Sequence, residues 1–370
     1  MIYLDYQATT PVAPEVAAAM RPWIEEKFAN PHSPSRWGRE AAAAIEVARN
    51  QIEQAIGLAG GRFAFTGGAT EALNWALKGT FENSSRRKLV TVVTEHAAVL
   101  DTAEWLEGKG VEVVRLHVDT DGMIDLEMAE ATIDDRTALV AAMLVNNEIG
   151  VIHPVAEIAR MAHKVGALML CDAVQGFGRL PMPLAPDLIA ISGHKVHGPK
   201  GVGGLWMRSG AEPEPLLHGG GQEQGLRSGT LAPALCVGMG EAAHLAVERR
   251  DADAVHVEKL SELALATFGS GWIINGSLDH RYRGNLNLRR DGLDGARLIS
   301  DMRNIAFSLG SACASGSGRP SHVLRAIGLS DRAARSSIRI GFGRYTGEEE
   351  LASACRRINE AAHEQAQLPA

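Results

Sequence analysis

In the stretch 187–206, DLIAISGHKVHGPKGVGGLW, an apolar strand delivers Ser192, Gly193, His194 and Lys195 into a glycine-rich turn. Desolvation at the end of a buried strand presses a lysine toward its free amine, which attacks carbonyls to form a Schiff base. Upstream, ALMLCDAVQGFG sets Asp172 at the end of another apolar run, with Gln175 one turn beyond. A carboxylate in that position is costly without a cationic partner. Each residue alone has an ordinary reading, the lysine as a surface side chain and the aspartate as a helix cap. Together they supply what pyridoxal phosphate (PLP) chemistry needs. The lysine forms the imine, and the carboxylate keeps the pyridine nitrogen protonated so that the ring can draw electrons from the substrate.

A phosphate also needs a cradle. RFAFTGGATEALNWALKG reads as a short strand, a Thr-Gly-Gly-Ala-Thr turn and a helix opening near Thr70. Gly67 and Gly68 let backbone amides approach an anion, Thr70 adds a hydroxyl, and the helix dipole favours negative charge. The motif matches neither of the common phosphate-loop patterns, so an ordinary strand-to-helix turn is an equal reading by itself. Ser192 and His194 offer further donors beside the lysine. In VTVVTEHAAVL, His96 follows an apolar strand and precedes a helix, where an imidazole can stack on a pyridine face and exchange protons.

These residues resemble the cysteine desulfurases of the class V aminotransferase group, which use PLP. The resemblance runs through YLDYQATTP (3–11), ANPHS (29–33), TGGATEA (66–72), TEHAAVLDT (94–102), VNNEIGV (145–151), CDAVQ (171–175) and SGHKVHGPKGVG (192–203). It continues through GGGQEQGLRSGT (219–230), GSACASGS (310–317), PSHVLRAIGL (320–329) and SSIRIGFGRYT (336–346). It implies that Lys195 holds the cofactor, Asp172 pairs with the pyridinium, Gln175 reaches the phenolic oxygen and His96 stacks on the ring. Ala69, Thr70, Ser192 and His194 would hold the phosphate, with Thr230 contributed across a homodimer interface. Asn147 would lie near the substrate, and Arg339 would clamp its carboxylate, a task suited to a planar guanidinium. The chain departs from the family pattern at Gly67 and Gly341, where serine is frequent, and at Ala72, where a hydroxyl residue is usual. Phosphate binding is therefore expected to lean on backbone amides.

Cys313 separates this family from its transaminating relatives. It lies in a Gly, Ser and Ala run from Gly310 to Gly318 with little apolar anchorage. The expected chemistry is attack of its thiolate on the sulfur of L-cysteine, followed by delivery of the persulfide to an acceptor protein such as an iron–sulfur scaffold. Cys171, Cys236 and Cys355 sit in strand and helix patterns without metal spacing, so packing is their expected role. Two alternatives remain at this stage: another class V PLP enzyme, an aminotransferase or β-lyase, and a non-catalytic sulfur-relay scaffold.

Four cysteines in 370 residues do not make a disulfide framework. With no charged, apolar leader and no bilayer-length apolar run, a cytoplasmic enzyme is expected. A net charge of -7 argues against a broad nucleic-acid surface, and no metal is expected. Alternating helix and strand patterns from about residue 14 to 230 predict an α/β fold with a mostly parallel sheet covered on both faces. The family resemblance implies the fold type I of PLP-dependent aminotransferases, a large PLP-binding domain with a smaller α/β domain at the C-terminal end. The expected division is a large domain over 14–245 and a small domain built from 1–13 and 246–370, carrying the cysteine loop.

Overall fold

The computed structural model describes residues 1–309 and 320–367. After β1 (Ile2–Tyr3) come α1 (Pro14–Glu25) and α2 (Arg36–Ile56). The Ser35 hydroxyl accepts from the Gly38 amide to start α2, and Gly57 ends it at φ 73°, a left-handed conformation glycine adopts without strain. Ile45, Ala48, Ile52 and Ile56 recur at three- and four-residue spacing and are buried.

Strand and helix then alternate: β2 (Gly61–Thr66), α3 (Ala69–Glu82), β3 (Lys88–Val92), α4 (Ala97–Glu107), β4 (Glu112–Leu116), α5 (Leu126–Thr132), β5 (Thr137–Met143) and α6 (Val155–Lys164). β6 (Leu168–Asp172), β7 (Leu188–Ser192) and β8 (Gly203–Arg208) complete this part. Among the described residues the largest sheet has seven strands in the order β2-β8-β7-β6-β5-β3-β4. Its strands from β7 through β4 run parallel, and β8 is antiparallel to both neighbours. β3, β5 and β7 are buried at every residue, as a sheet with both faces covered requires. The mostly parallel α/β arrangement expected from the sequence is thus the one observed.

The 36-residue helix α7 (Pro233–Phe268) leads into β9 (Ile273–Ile274), β10 (Asn285–Arg289), α8 (Gly295–Asp301) and β11 (Ile305–Ala306). Beyond 320 follow α9 (His322–Ala326), α10 (Asp331–Arg335), β12 (Ser337–Gly341) and α11 (Glu348–Gln367). β12, β10 and β9 form an antiparallel sheet, and β1 pairs in parallel with β11. The amino end of the chain therefore lies within the carboxyl-terminal part. Leu245 and Ala246 of α7 still pack with the large sheet, whereas Val257, Leu260 and Phe268 join a separate core with Leu4, Ile338 and Phe342. No described helix is long and apolar enough to cross a membrane.

Candidate active site

Open parallel sheets collect function at the carboxyl ends of their strands. There, β5 ends at Met143, β6 at Asp172 and β7 at Ser192, all lining a cavity of about 810 Å³. Lys195 enters it from the short turn after β7, and its Nζ donates to the carbonyl oxygens of Gln7 and of Ala8, the latter at 2.8 Å. Gln175 donates to the same Gln7 carbonyl at 2.9 Å, while its own Oε1 accepts from Arg179 at 2.6 Å. The amino-terminal segment thus anchors both residues from the far end of the sequence.

Asp172 is buried, and one of its oxygens, Oδ1, accepts from the Val174 amide at 3.0 Å. Burial raises its pKa, against the pull of that amide and of the nearby His96 and Lys195 side chains. A cationic ring nitrogen is the kind of partner such a carboxylate accepts. His96 caps α4, its Nδ1 accepting from the Ala98 amide at 3.1 Å, which assigns the proton of the neutral ring to Nε2. Burial, with Lys195, Lys200 and Arg179 nearby, pushes His194 down to about 4, so its ring is neutral near pH 7. Its Nδ1 meets the Thr9 hydroxyl at 3.1 Å.

On the same cavity, α3 begins at Ala69 after Gly68, and no side chain caps it. Its first amides, with Ala69 and Thr70 on the lining, form an anion cradle. The Glu71 carboxylate accepts from the Gly67 amide at 2.7 Å and pairs with Arg227 at 2.7 Å. A Cβ on Gly203 would lie 2.8 Å from Gly68 Cα, so the cradle rests directly on β8. Arg339, 1% exposed, reaches the cavity from β12. It donates to the Asn147 carbonyl at 3.0 Å and to Asp5 Oδ1 at 2.6 Å. A Cβ on Gly341 would lie 1.6 Å from Gln7 Oε1, so the serine frequent there would force Gln7 to move.

Of the residues expected from the sequence, Lys195, Asp172, Gln175, His96, Ala69, Thr70, Ser192, His194, Asn147 and Arg339 line this one cavity. Thr230 is exposed and absent from the lining. Cys313 lies outside the described residues. Residue-by-residue reading missed Gln7 and Ala8, which hold the lysine, Asp5, which holds Arg339, and His322, whose Nε2 meets the Glu95 carbonyl at 2.9 Å. It also missed Glu95, which is fully buried beside His96. Glu95 Oε1 accepts from the Met143 amide at 2.6 Å, and its Oε2 has no hydrogen-bond partner among the described residues. Burial and the charge of Asp172 raise its pKa well above the carboxylate range. Among the described residues no group of His, Cys, Asp and Glu is arranged to hold a metal.

A lysine, a buried carboxylate awaiting a cation, an imidazole and an uncapped helix end around one cavity fit PLP. The comparisons agree. The family model for class-V aminotransferases matches residues 2–353. The chain is 44% identical to the cysteine desulfurase IscS of Rickettsia bellii over 374 residues, covering 97% of this chain and 91% of the relative. Its fold is similar to a solved NifS-like protein, with a TM-score of 0.91 at 35% identity over 98% of this chain and 99% of the other. It is also similar to SspA, solved in complex with cysteine, with a TM-score of 0.83 at 34% identity over 94% and 100% of the two chains. The chain belongs to the class-V aminotransferase family, among its PLP-dependent cysteine desulfurases.

Proposed function

We propose that this chain removes sulfur from L-cysteine, leaving L-alanine, and passes the sulfur on as a persulfide. The observation that carries this reading is the convergence of Lys195, Asp172 and Arg339 on one cavity. PLP bound there supplies an electron sink for bond breaking in the substrate. Lys195 holds the cofactor covalently, Asp172 keeps a proton on the pyridine nitrogen, and Gln175 and His96 set the ring. Ala69, Thr70, Ser192 and His194 take the phosphate, joined by Thr230 of a second copy in a homodimer. Arg339 fixes the substrate carboxylate and Asn147 borders it. The Cys313 thiolate attacks the substrate sulfur: an S–S bond forms as the C–S bond breaks, and the carbon keeps the electron pair and takes a proton.

We assign 14–245 to a large PLP-binding domain, with 1–13 and 246–370 forming the small domain. The boundary then falls inside α7. The acceptor is a sulfur-carrying protein such as an iron–sulfur scaffold, and the setting is the cytoplasm, with neither nucleic acid nor membrane as partner.

Cys313→Ala is the direct test. The visible spectrum should still respond to L-cysteine, because cofactor and substrate binding rest on other residues, while alanine and persulfide formation should stop. In the wild type the added sulfur should map to Cys313 by mass spectrometry. Cys171, Cys236 and Cys355 are buried, and burial raises all three thiols, Cys236 and Cys355 to about 12. Full alanine production by Cys313→Ala would overturn Cys313 as the nucleophile, and pyruvate with free sulfide in place of alanine would favour the β-lyase alternative.

A further inference from the structure

A second cavity, of about 190 Å³, lies where α7 meets the segments around Tyr282 and Arg344, and Lys195 borders both this cavity and the larger one. Five arginines line it, Arg179, Arg250, Arg281, Arg283 and Arg344, against two carboxylates, Asp253 and Glu258. Both carboxylates are already engaged. Asp253 takes Arg344 at 2.7 Å, and Glu258 lies 3.5 Å from Arg283.

Among the described residues Arg179 and Arg281 donate only to uncharged oxygens, and Arg179 also lies 5.2 Å from the centre of the Tyr282 ring. Arg281 is 4% exposed and donates to the carbonyls of Ser277, Ile149 and Asn285 at 3.2, 2.8 and 3.1 Å. Its Nε is buried with no partner among the described residues, as is Arg344 Nη1. Arg179 donates to Gln175 Oε1 and to the Lys195 carbonyl at 2.9 Å. Neither forms an ion pair with a carboxylate among the described residues. A buried charge without a counter-ion is expensive; burial pushes Arg281 down to about 10 and lowers Arg179 as well. The cavity has roughly the volume of six water molecules, at about 30 Å³ each, and falls below the ~300 Å³ where pockets for organic ligands begin. That room suits a small tetrahedral ion with a few waters.

We infer that this cavity is a binding site for a small inorganic oxyanion of sulfate or phosphate type, held by Arg281, Arg179 and Arg250 behind the active-site lysine. The ion would neutralise the buried guanidinium charge. Through Arg179, it would be linked to Gln175 and to the Lys195 backbone.

The test uses the PLP-loaded full-length protein, so that the phosphate cradle of the main cavity is filled. Thermal unfolding is followed against sodium sulfate and, separately, sodium phosphate, with sodium chloride holding ionic strength constant. Sulfate stabilises proteins generally by exclusion from their surface, but that effect rises without saturating and acts on every variant alike. A bound ion instead gives a saturable rise in melting temperature. Arg281→Gln should remove the saturable part, and Arg250→Ala should weaken it about tenfold. Arg356→Ala, an exposed residue away from the cavity, should leave it unchanged. If Arg281→Gln fails to fold, Arg250→Ala decides. A non-saturating response, an equal response to chloride, or identical curves for wild type and Arg250→Ala would each overturn the proposal.

Discussion

Replacing Arg339 by lysine keeps the charge at the substrate end of the cavity but removes the planar fork that carries it. The guanidinium donates through Nη1 to Asn147 and through Nη2 to Asp5, and it is almost wholly buried. A lysine ammonium is a point donor on a shorter reach, so at least one of these two directions goes unmet and the bidentate grip on a substrate carboxylate is lost. A hydrogen bond to a charged group is worth about 1.5–3 kcal/mol. At about 1.4 kcal/mol per factor of ten, kcat/KM for L-cysteine should fall roughly 10- to 150-fold, most of it in KM. L-cysteine methyl ester, which has no carboxylate charge, separates this loss from a general defect. Arg339→Lys should lower activity on the acid far more than on the ester, so the preference between them shrinks. Alanine formed from the acid and alanine methyl ester formed from the ester measure it. A kcat/KM for L-cysteine within threefold of wild type, or an equal loss on the ester, would refute the assignment of Arg339 to the substrate carboxylate.

His153 is buried with neither ring nitrogen bonded to any of the described residues, and burial pushes it down to about 4 from an ordinary value of 6.5. The unfolded chain therefore binds this proton first. The contribution of His153, about 3 kcal/mol, is fully present above pH 6.5 and is lost as pH falls toward 4. His153→Leu should narrow the gap in melting temperature between pH 7.5 and pH 5, and an unchanged gap would count against it. Burial and the Asp172 charge should keep Glu95 protonated to higher pH than an exposed carboxyl, so in infrared difference spectra against Glu95→Gln its protonated carboxyl band should persist beyond the pH at which exposed carboxyls ionise, and loss of the band together with theirs would contradict this. Light scattering should report a dimer at assay concentrations; an active monomer would remove Thr230 from the cofactor site.

The residues legible in the sequence are those whose role follows from their own strand. Lys195, Asp172 and His96 each end an apolar run, and such runs must be buried, so their last residues surface together at one edge of the sheet. The cradle was legible for the same local reason, two glycines followed by a helix start. The second layer was not. Lys195 is held by Gln7 and Ala8, Arg339 by Asp5, and Gln175 by Arg179, which also reaches the Lys195 carbonyl. The carbonyls of Gln7 and Ala8 have no signature in residue type. Asp5 lies 334 positions from Arg339. Glu95 hides for another reason: beside a histidine it reads as a surface charge, and only its complete burial shows otherwise.

The pairing of β1 with β11 bears on the order in which this protein is made. Ile2 lies opposite Ile305, Lys195 hangs from Gln7 and Ala8, and Asp5 grips Arg339. A ribosome releases residues 1–10 first, yet their strand partner and the arginine they hold are synthesised hundreds of residues later. The seven-stranded sheet can assemble on the nascent chain, but the cavity stays unfinished until residue 339 has left the exit tunnel. During that interval residues 7–10 can dock on Gln175, His194 and Lys195, while residues 2–5 lack their partners and are open to proteases and chaperones. A truncation that removes the first eight residues would strip the lysine and the arginine of these supports at once.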